Sequence, residues 1–151
     1  MYEPTAAIKS GAAHTYANGK YVLAEFAPNG EWGRIREHIM TFLREGYIPV
    51  IAHAERYSEL FSKKERMREV VELGARIQIN CETFTSAGFF QRRYLRSLIN
   101  EGLIFCVGTD AHNMKNRIPQ MHDAFLWVVK NAGRVAAEKI FCENAKVLMN
   151  K

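Results

Sequence analysis

The fold is decided by the stretch Gly102-Leu103-Ile104-Phe105-Cys106-Val107-Gly108-Thr109-Asp110-Ala111-His112-Asn113. Its first half is an apolar run after a glycine, which predicts a short buried strand. Asp110 and His112 follow that run, and functional residues gather at the carboxyl ends of strands in parallel α/β folds. A carboxylate and an imidazole at this spacing can turn toward one metal ion or one water. Asp-x-His is also frequent by chance, and a turn aspartate beside a surface histidine fits the pattern equally well.

Two further strand patterns bring similar side chains. The run Tyr47–Ala52 ends on His53, and the run Tyr21–Phe26 carries Glu25 inside strand-like sequence. A glutamate there costs free energy to bury unless it is paired or bound to a cation, whereas a position facing water on an edge strand is the alternative. Taken together, the candidate ligands form a set that suits Mn, Fe, Zn or Mg: Glu25, His53, Asp110 and His112.

Composition predicts one folded domain over residues 1–151, since 48% of the residues are hydrophobic. The formal net charge of +5 and the isoelectric point of about 9.2 favour acidic, phosphate-bearing partners. No helix-turn-helix or RNA-binding pattern is found, so nucleic acid is not predicted as a partner. No apolar run approaches the ~20 residues of a membrane span.

The three cysteines are Cys81, Cys106 and Cys142. They form no Cys-x-x-Cys pair, so reduced thiols in a cytoplasmic protein are expected. None lies in a phosphate-cradling loop of the Cys-x5-Arg kind, which argues against a phosphatase with a cysteine nucleophile.

Strand and helix patterns alternate along the chain, and this predicts a parallel sheet with helical crossovers. The predicted strands include Arg76–Asn80, and the predicted helices include Trp32–Glu45, Glu65–Leu73, Gln91–Asn100 and Gln120–Asn131. The segment Thr83–Gly88 is predicted to be a loop.

Arginines follow two of the predicted strands. Arg56 comes shortly after His53, and its planar guanidinium matches phosphate oxygens. An ion pair with Glu55 or Glu59 is the alternative for Arg56. Arg117 is a second candidate anion ligand. A separate basic run is either a solvated helix face or a docking strip for an acidic partner: Arg92, Arg93 and Arg96.

Several of these blocks together resemble the polymerase-and-histidinol-phosphatase (PHP) superfamily. They are Ile48-Pro49-Val50-Ile51-Ala52-His53-Ala54-Glu55-Arg56-Tyr57, then Gln78-Ile79-Asn80, then Thr109-Asp110-Ala111-His112-Asn113 and Arg117. Within the superfamily, the chain is similar to the bacterial manganese-dependent tyrosine phosphatases that control capsule and exopolysaccharide synthesis. The resemblance extends over nearly the whole chain.

The resemblance implies an α/β fold that is a partial distorted (β/α)7 barrel, with metal ions at the carboxyl ends of its strands. It implies that the metal ligands are Glu25, His53, Asp110 and His112, with manganese as the metal. Arg56 and Arg117 match arginines that hold the phosphoryl group, and Asp110 is also a candidate for proton transfer. The implied substrate is phosphotyrosine on a protein, in particular the tail of a bacterial tyrosine kinase.

Three departures from the family pattern are visible. Ala54 stands where proline is usual, and Gly108-Thr109 replaces alanine-serine before the aspartate. The His-x-His motif of the first family strand has no match, so the chain resembles the carboxyl-terminal part of the family domain. We therefore expect weak metal binding, slow or absent hydrolysis of aryl phosphates, and a homo-oligomer that covers exposed strand edges.

Two other functions remain open at this point. One is another phosphatase of the superfamily, such as a histidinol-phosphate phosphatase. The other is a non-catalytic module that binds anions or a kinase.

Overall fold

The computed structural model describes residues 5–110 and 120–149 of the chain. Within these residues, the sheet has four parallel strands in the order β1-β2-β3-β4. The strands are β1 (Tyr21–Ala24), β2 (Ile48–Ile51), β3 (Arg76–Asn80) and β4 (Cys106–Gly108). A parallel sheet needs crossover connections, and helices supply them here. The predicted alternation of strands and helices is confirmed.

Four helices have ten or more residues, and shorter helices lie before, between and after them. The bounds are α1 (Ala6–Lys9), α2 (Trp32–Arg44), α3 (Ser58–Phe61), α4 (Lys64–Leu73), α5 (Cys81–Thr85), α6 (Phe89–Asn100), α7 (Met121–Ala132), α8 (Arg134–Glu138) and α9 (Asn144–Leu148). Turns of 3₁₀-helix occupy Tyr16–Asn18 and Ala54–Arg56, and a π-helical turn spans Lys139–Glu143.

The core lies between the helices and one face of the sheet. Ile77 and Ile79 of β3 are fully buried, as are Ile35 and Ile39 of α2. The isoleucines of α2 recur four residues apart, which places them on one face of the helix. Burying a side chain of this size stabilises the fold by roughly 1.5–3 kcal/mol.

The strand register aligns the carboxyl ends of the strands at one edge. Ala24 pairs with Ile51 at the ends of β1 and β2, and Asn80 pairs with Gly108 at the ends of β3 and β4. The residues that follow the strands therefore emerge side by side.

Three sequence predictions need correction. Glu25 follows β1 instead of lying within it, and its side chain is 62% exposed, so the expected burial is wrong. The strand predicted from Gly102 begins only at Cys106, because Leu103 and Ile104 are buried without strand pairing. The segment predicted as a loop from Thr83 contains the end of α5.

The described residues contain no helix that is both long and apolar enough to cross a bilayer. Cys81, Cys106 and Cys142 are all free thiols.

Candidate metal and phosphate site

The carboxyl edge of the sheet holds a cavity of about 250 Å³. Glu25 after β1, His53 after β2 and Asp110 after β4 all line it, together with Gln78 and Asn80 of β3. Three of the four candidate ligands therefore face one space, although they come from separate parts of the chain. The fourth, His112, and the candidate arginine Arg117 lie outside the described residues.

Glu25 and His53 lie close together at the ends of neighbouring strands. Oε1 of Glu25 lies 3.4 Å from Nε2 of His53, whose side chain is 10% exposed. A carboxylate oxygen and an imidazole nitrogen on neighbouring strand ends are a donor pair that fits a divalent cation. Within residues 5–110 and 120–149, no group of three His, Cys, Asp or Glu side chains is close enough to hold a metal ion.

Asp110 lies on the cavity wall with its carboxylate engaged by Arg56. Nη2 of Arg56 donates to Oδ2 of Asp110, and the pair joins the β2 end to the β4 end. The alternative predicted for Arg56, an ion pair with Glu55 or Glu59, is therefore wrong. A guanidinium beside the cavity adds a positive group that can meet an anion there.

The ring of His53 is held by Tyr57, which is fully buried. The Tyr57 hydroxyl oxygen accepts a hydrogen bond from the backbone N–H of Phe26 at 3.0 Å and lies 3.2 Å from Nδ1 of His53. Burial raises the pKa of Tyr57 above its ordinary value. The hydroxyl therefore stays protonated and can donate to an unprotonated Nδ1 or accept from a protonated one.

The backbone of His53 is held by Gln78. The His53 N–H donates to Oε1 of Gln78 at 2.6 Å, while Nε2 of Gln78 donates to Oδ1 of Asn80 at 3.0 Å. His53 needs such a restraint because it has a positive φ of 37°, which L-residues adopt infrequently.

Gln78 fits beside β4 only because residue 108 is a glycine. A Cβ built on Gly108 would lie 3.0 Å from Cδ of Gln78, which is too close for an ordinary contact. The side chain of Gln78 thus occupies the space that any larger residue at 108 would need.

Glu55 closes the network from the other side. Both of its carboxylate oxygens lie 3.3 Å from the backbone nitrogen of Asn80, which donates to them. Burial raises the pKa of Glu55, and hydrogen bonds from backbone N–H groups only partly oppose this.

Sequence reasoning assigned no role in the site to Tyr57 or Gln78, and it named Glu55 only as an alternative ion-pair partner of Arg56. The polar residue between the two isoleucines of β3 is a signal for Gln78. The spacing of Tyr57 four residues after His53 gives a weaker signal.

Fold and site together define a parallel α/β domain with carboxylate, imidazole and guanidinium groups at the carboxyl edge of its sheet. A scan against family models refines this class, since residues 2–150 match the family described as capsular polysaccharide synthesis, CpsB/CapC. The chain belongs to that family.

The curated relatives include bacterial enzymes. The chain is 30% identical over 141 residues to the tyrosine-protein phosphatase CpsB of Streptococcus agalactiae serotype III (strain NEM316), covering 89% of this chain and 58% of the relative. It is 34% identical over 134 residues to the tyrosine-protein phosphatase YwqE of Bacillus subtilis (strain 168), covering 86% and 51%. The chain thus spans little more than half the length of these relatives.

A solved structure also matches. It comes from the crystal structures of two proteins, YwqE from Bacillus subtilis and CpsB from Streptococcus pneumoniae. Both proteins are described as metal-dependent tyrosine phosphatases. The TM-score is 0.84 at 27% identity, and the match covers 99% of this chain and 61% of that one.

Proposed function

We propose that this chain carries part of the active site of a metal-dependent protein-tyrosine phosphatase that acts in capsule or exopolysaccharide synthesis. The observation that carries the proposal is the convergence of Glu25, His53 and Asp110 on one cavity, with Arg56 bound to Asp110. The names of the relatives support the reaction, and the family description supports the process.

Manganese is the proposed metal. The proposed ligands are the four residues predicted from the sequence: Glu25, His53, Asp110 and His112. A bound divalent metal lowers the pKa of water and neutralises charge on phosphoryl oxygens. His53 presents Nε2 to the cavity, and the Tyr57 hydroxyl oxygen accepts a hydrogen bond from Nδ1–H when Nε2 is the unprotonated nitrogen. Glu25 supplies a carboxylate oxygen next to Nε2.

Arg56 and Arg117 are the proposed phosphoryl ligands. Arg56 already donates to a carboxylate oxygen at the cavity, and phosphate oxygens accept from a guanidinium in the same way. Such donors stabilise the additional negative charge of the transition state. Asp110 is a proposed metal ligand that also accepts a hydrogen bond from Arg56, so it links the metal ligands to the phosphoryl ligands. Asp110 is also a candidate for proton transfer.

The proposed substrate is phosphotyrosine on a protein, and the proposed partner is the tail of a bacterial tyrosine kinase. A cytoplasmic location agrees with the three free thiols of the chain.

Metal binding is the direct test of the site. Calorimetric titration with Mn²⁺ should show binding to the wild-type chain and a loss of at least about tenfold in affinity in His53→Ala. His14→Ala is the matched control, because His14 is exposed and is not among the residues that line the cavity. Equal affinity in all three proteins contradicts the proposed ligands.

Hydrolysis tests the reaction. Turnover of p-nitrophenyl phosphate by this chain is expected to be slow or absent, and any turnover should require Mn²⁺, stop on chelation and fall further in His53→Ala. Turnover that survives chelation would contradict a metal-dependent reaction. Phosphate binding that survives chelation, in a chain that binds no Mn²⁺ and shows no turnover, would instead support a non-catalytic module. A preference for small alkyl phosphates over phosphotyrosine peptides would support a histidinol-phosphate type enzyme.

We also propose that the protein is a homo-oligomer. Leu23 of β1 is 46% exposed, and β1 is a terminal strand of the sheet in the described residues. Light scattering of wild type and Leu23→Lys tests this, since the substitution should dissociate an oligomer that covers β1. A monomeric wild type contradicts the proposal.

A further inference from the structure

An aromatic pair stands exposed at the start of α6. Phe89 and Phe90 are 78% and 84% exposed, and their rings pack edge to face with centroids 5.5 Å apart. Single exposed apolar residues are common on protein surfaces, but neighbouring exposed aromatic rings mark interaction sites. Large rings carry much of the binding energy in protein interfaces.

Two arginines continue the same face of the helix. Arg93 and Arg96 lie four and seven residues after Phe89, which places all three on one side of α6, opposite the buried Leu98. Both arginines are exposed, and neither forms an ion pair with a carboxylate of the described residues. Arg68 of α4, by contrast, forms an ion pair with Glu101, with Nε 2.8 Å from Oε2. We call Phe89, Phe90, Arg93 and Arg96 the α6 strip.

The α6 strip begins beside the candidate phosphate site. A second cavity of about 320 Å³ is lined by residues that include Arg56, Asn80, Ser86 and Gln91. Glu55 and Glu82 also line it, so the acidic residues of a bound peptide would have to lie beyond the cavity, on the strip. Ser86 and Gln91 flank the aromatic pair in sequence. A chain that places a phosphoryl group near Arg56 can therefore extend over this cavity onto the strip.

We propose that the α6 strip binds the peptide segment next to the phosphotyrosine of the substrate, and that this segment is acidic. The inference rests on the proposed function and adds its substrate class. Carboxylates of the peptide pair with Arg93 and Arg96, while an apolar or aromatic side chain packs on Phe89 and Phe90. A symmetric contact with a second copy is disfavoured, because it would bring the unpaired arginines of both copies together.

Fluorescence anisotropy with labelled peptides tests the proposal in the presence of chelator. The probes are a phosphotyrosine peptide with glutamates beside the phosphotyrosine and the same peptide with glutamines in their place. The wild-type chain should bind the acidic peptide about tenfold more tightly, and salt should reduce this difference.

Two double variants locate the effect. Phe89→Ser with Phe90→Ser should weaken binding of the acidic peptide about tenfold. Arg93→Gln with Arg96→Gln should remove most of the preference for the acidic peptide. Val135→Ser is the apolar control, since Val135 is 82% exposed, and Lys130→Gln with Lys146→Gln is the charge control. Both controls should bind like wild type.

Equal affinity for the two peptides, or equal losses in the controls, overturns the proposal. Dimerisation of the chain through Phe89 and Phe90 overturns it as well. So does an oligonucleotide that displaces the labelled peptide at a lower concentration than unlabelled peptide does. Calorimetric titration with Mn²⁺ separates this failure from failure of the proposed function, because no residue of the strip lines the cavity of the proposed metal ligands. The variants should leave the Mn²⁺ affinity unchanged.

Discussion

The hydroxyl of Tyr57 lies 3.2 Å from Nδ1 of His53, whereas the other ring nitrogen of His53 faces Glu25 at 3.4 Å. The imidazole is thus fixed from the side that a metal ion would not use. Hydrogen bonds of this kind to the outer nitrogen orient metal-binding histidines in general.

Tyr57→Phe should therefore weaken Mn²⁺ binding about tenfold while the chain stays folded. The loss of the hydroxyl also leaves the Phe26 N–H without its acceptor, at a cost of about 1 kcal/mol in the free energy of unfolding. Tyr94→Phe is the control, because the Tyr94 hydroxyl donates to the backbone oxygen of Phe61, away from the cavity. Calorimetric titration should detect no change in the control; equal losses in both variants would contradict a positioning role for Tyr57.

Gly108→Ala should destabilise the chain by displacing Gln78. The added Cβ would lie 3.0 Å from Cδ of Gln78, which holds the His53 N–H. The expected loss is about 1–3 kcal/mol in the free energy of unfolding, measured by urea denaturation.

In a Gln78→Ala background, Gly108→Ala should cost much less, because the clashing side chain is gone. The two substitutions would then be non-additive, as expected for residues in contact. Costs that simply add would show that Gln78 can move aside without loss.

Asp110→Asn should have opposite effects on phosphate binding and on Mn²⁺ binding. It removes the carboxylate that engages Arg56, so inorganic phosphate should bind several-fold more tightly in the presence of chelator. Mn²⁺ binding should weaken in the same variant, since a carboxylate is lost from the cavity. Asp123→Asn makes the same charge change at an exposed position of α7. This control should alter neither phosphate binding nor Mn²⁺ binding. Weaker binding of both phosphate and Mn²⁺ in Asp110→Asn would contradict this prediction.

Cys106 should be an inert thiol in the folded chain. Burial raises its pKa from 9.0 to about 12, so little thiolate forms near neutral pH. Ellman's reagent at pH 8 should label the exposed Cys142 quickly and Cys106 only after unfolding. Comparable labelling rates would refute this.

The same shift predicts a loss of stability in alkali. The folded state holds the Cys106 proton more tightly, so the contribution is complete below pH 9 and declines as the pH rises toward 12. At pH 10 the loss is on the order of 1 kcal/mol in the free energy of unfolding, and Cys106→Ala should not show it.

The apolar runs were sufficient to predict the four strands and the positions of His53 and Asp110. They could not predict where the strands end, because a strand ends where its hydrogen-bonded pairing with a neighbouring strand ends. β1 ends at Ala24, which pairs with Ile51, the last residue of β2. Leu103 and Ile104 show the same limit, since an apolar run predicts burial without specifying strand pairing.

Contacts between distant residues were harder to predict. The segment expected to be a loop forms part of α5, where Phe84 is fully buried and its ring lies 5.5 Å from that of Trp127. The Arg56 to Asp110 pair spans 54 positions, and no local pattern indicates it. The ligand roles of Glu25, His53, Asp110 and His112 stay predictions.

His53 and Asp110 share a backbone feature with an evolutionary consequence. Both have positive φ, at 37° and 47°, in a region that glycine and asparagine tolerate better. A glycine at either position would adopt this conformation without strain, but it would remove a side chain that lines the cavity. The side chains at the cavity are therefore kept at the expense of some backbone stability, a trade between function and stability that is expected where a site is built.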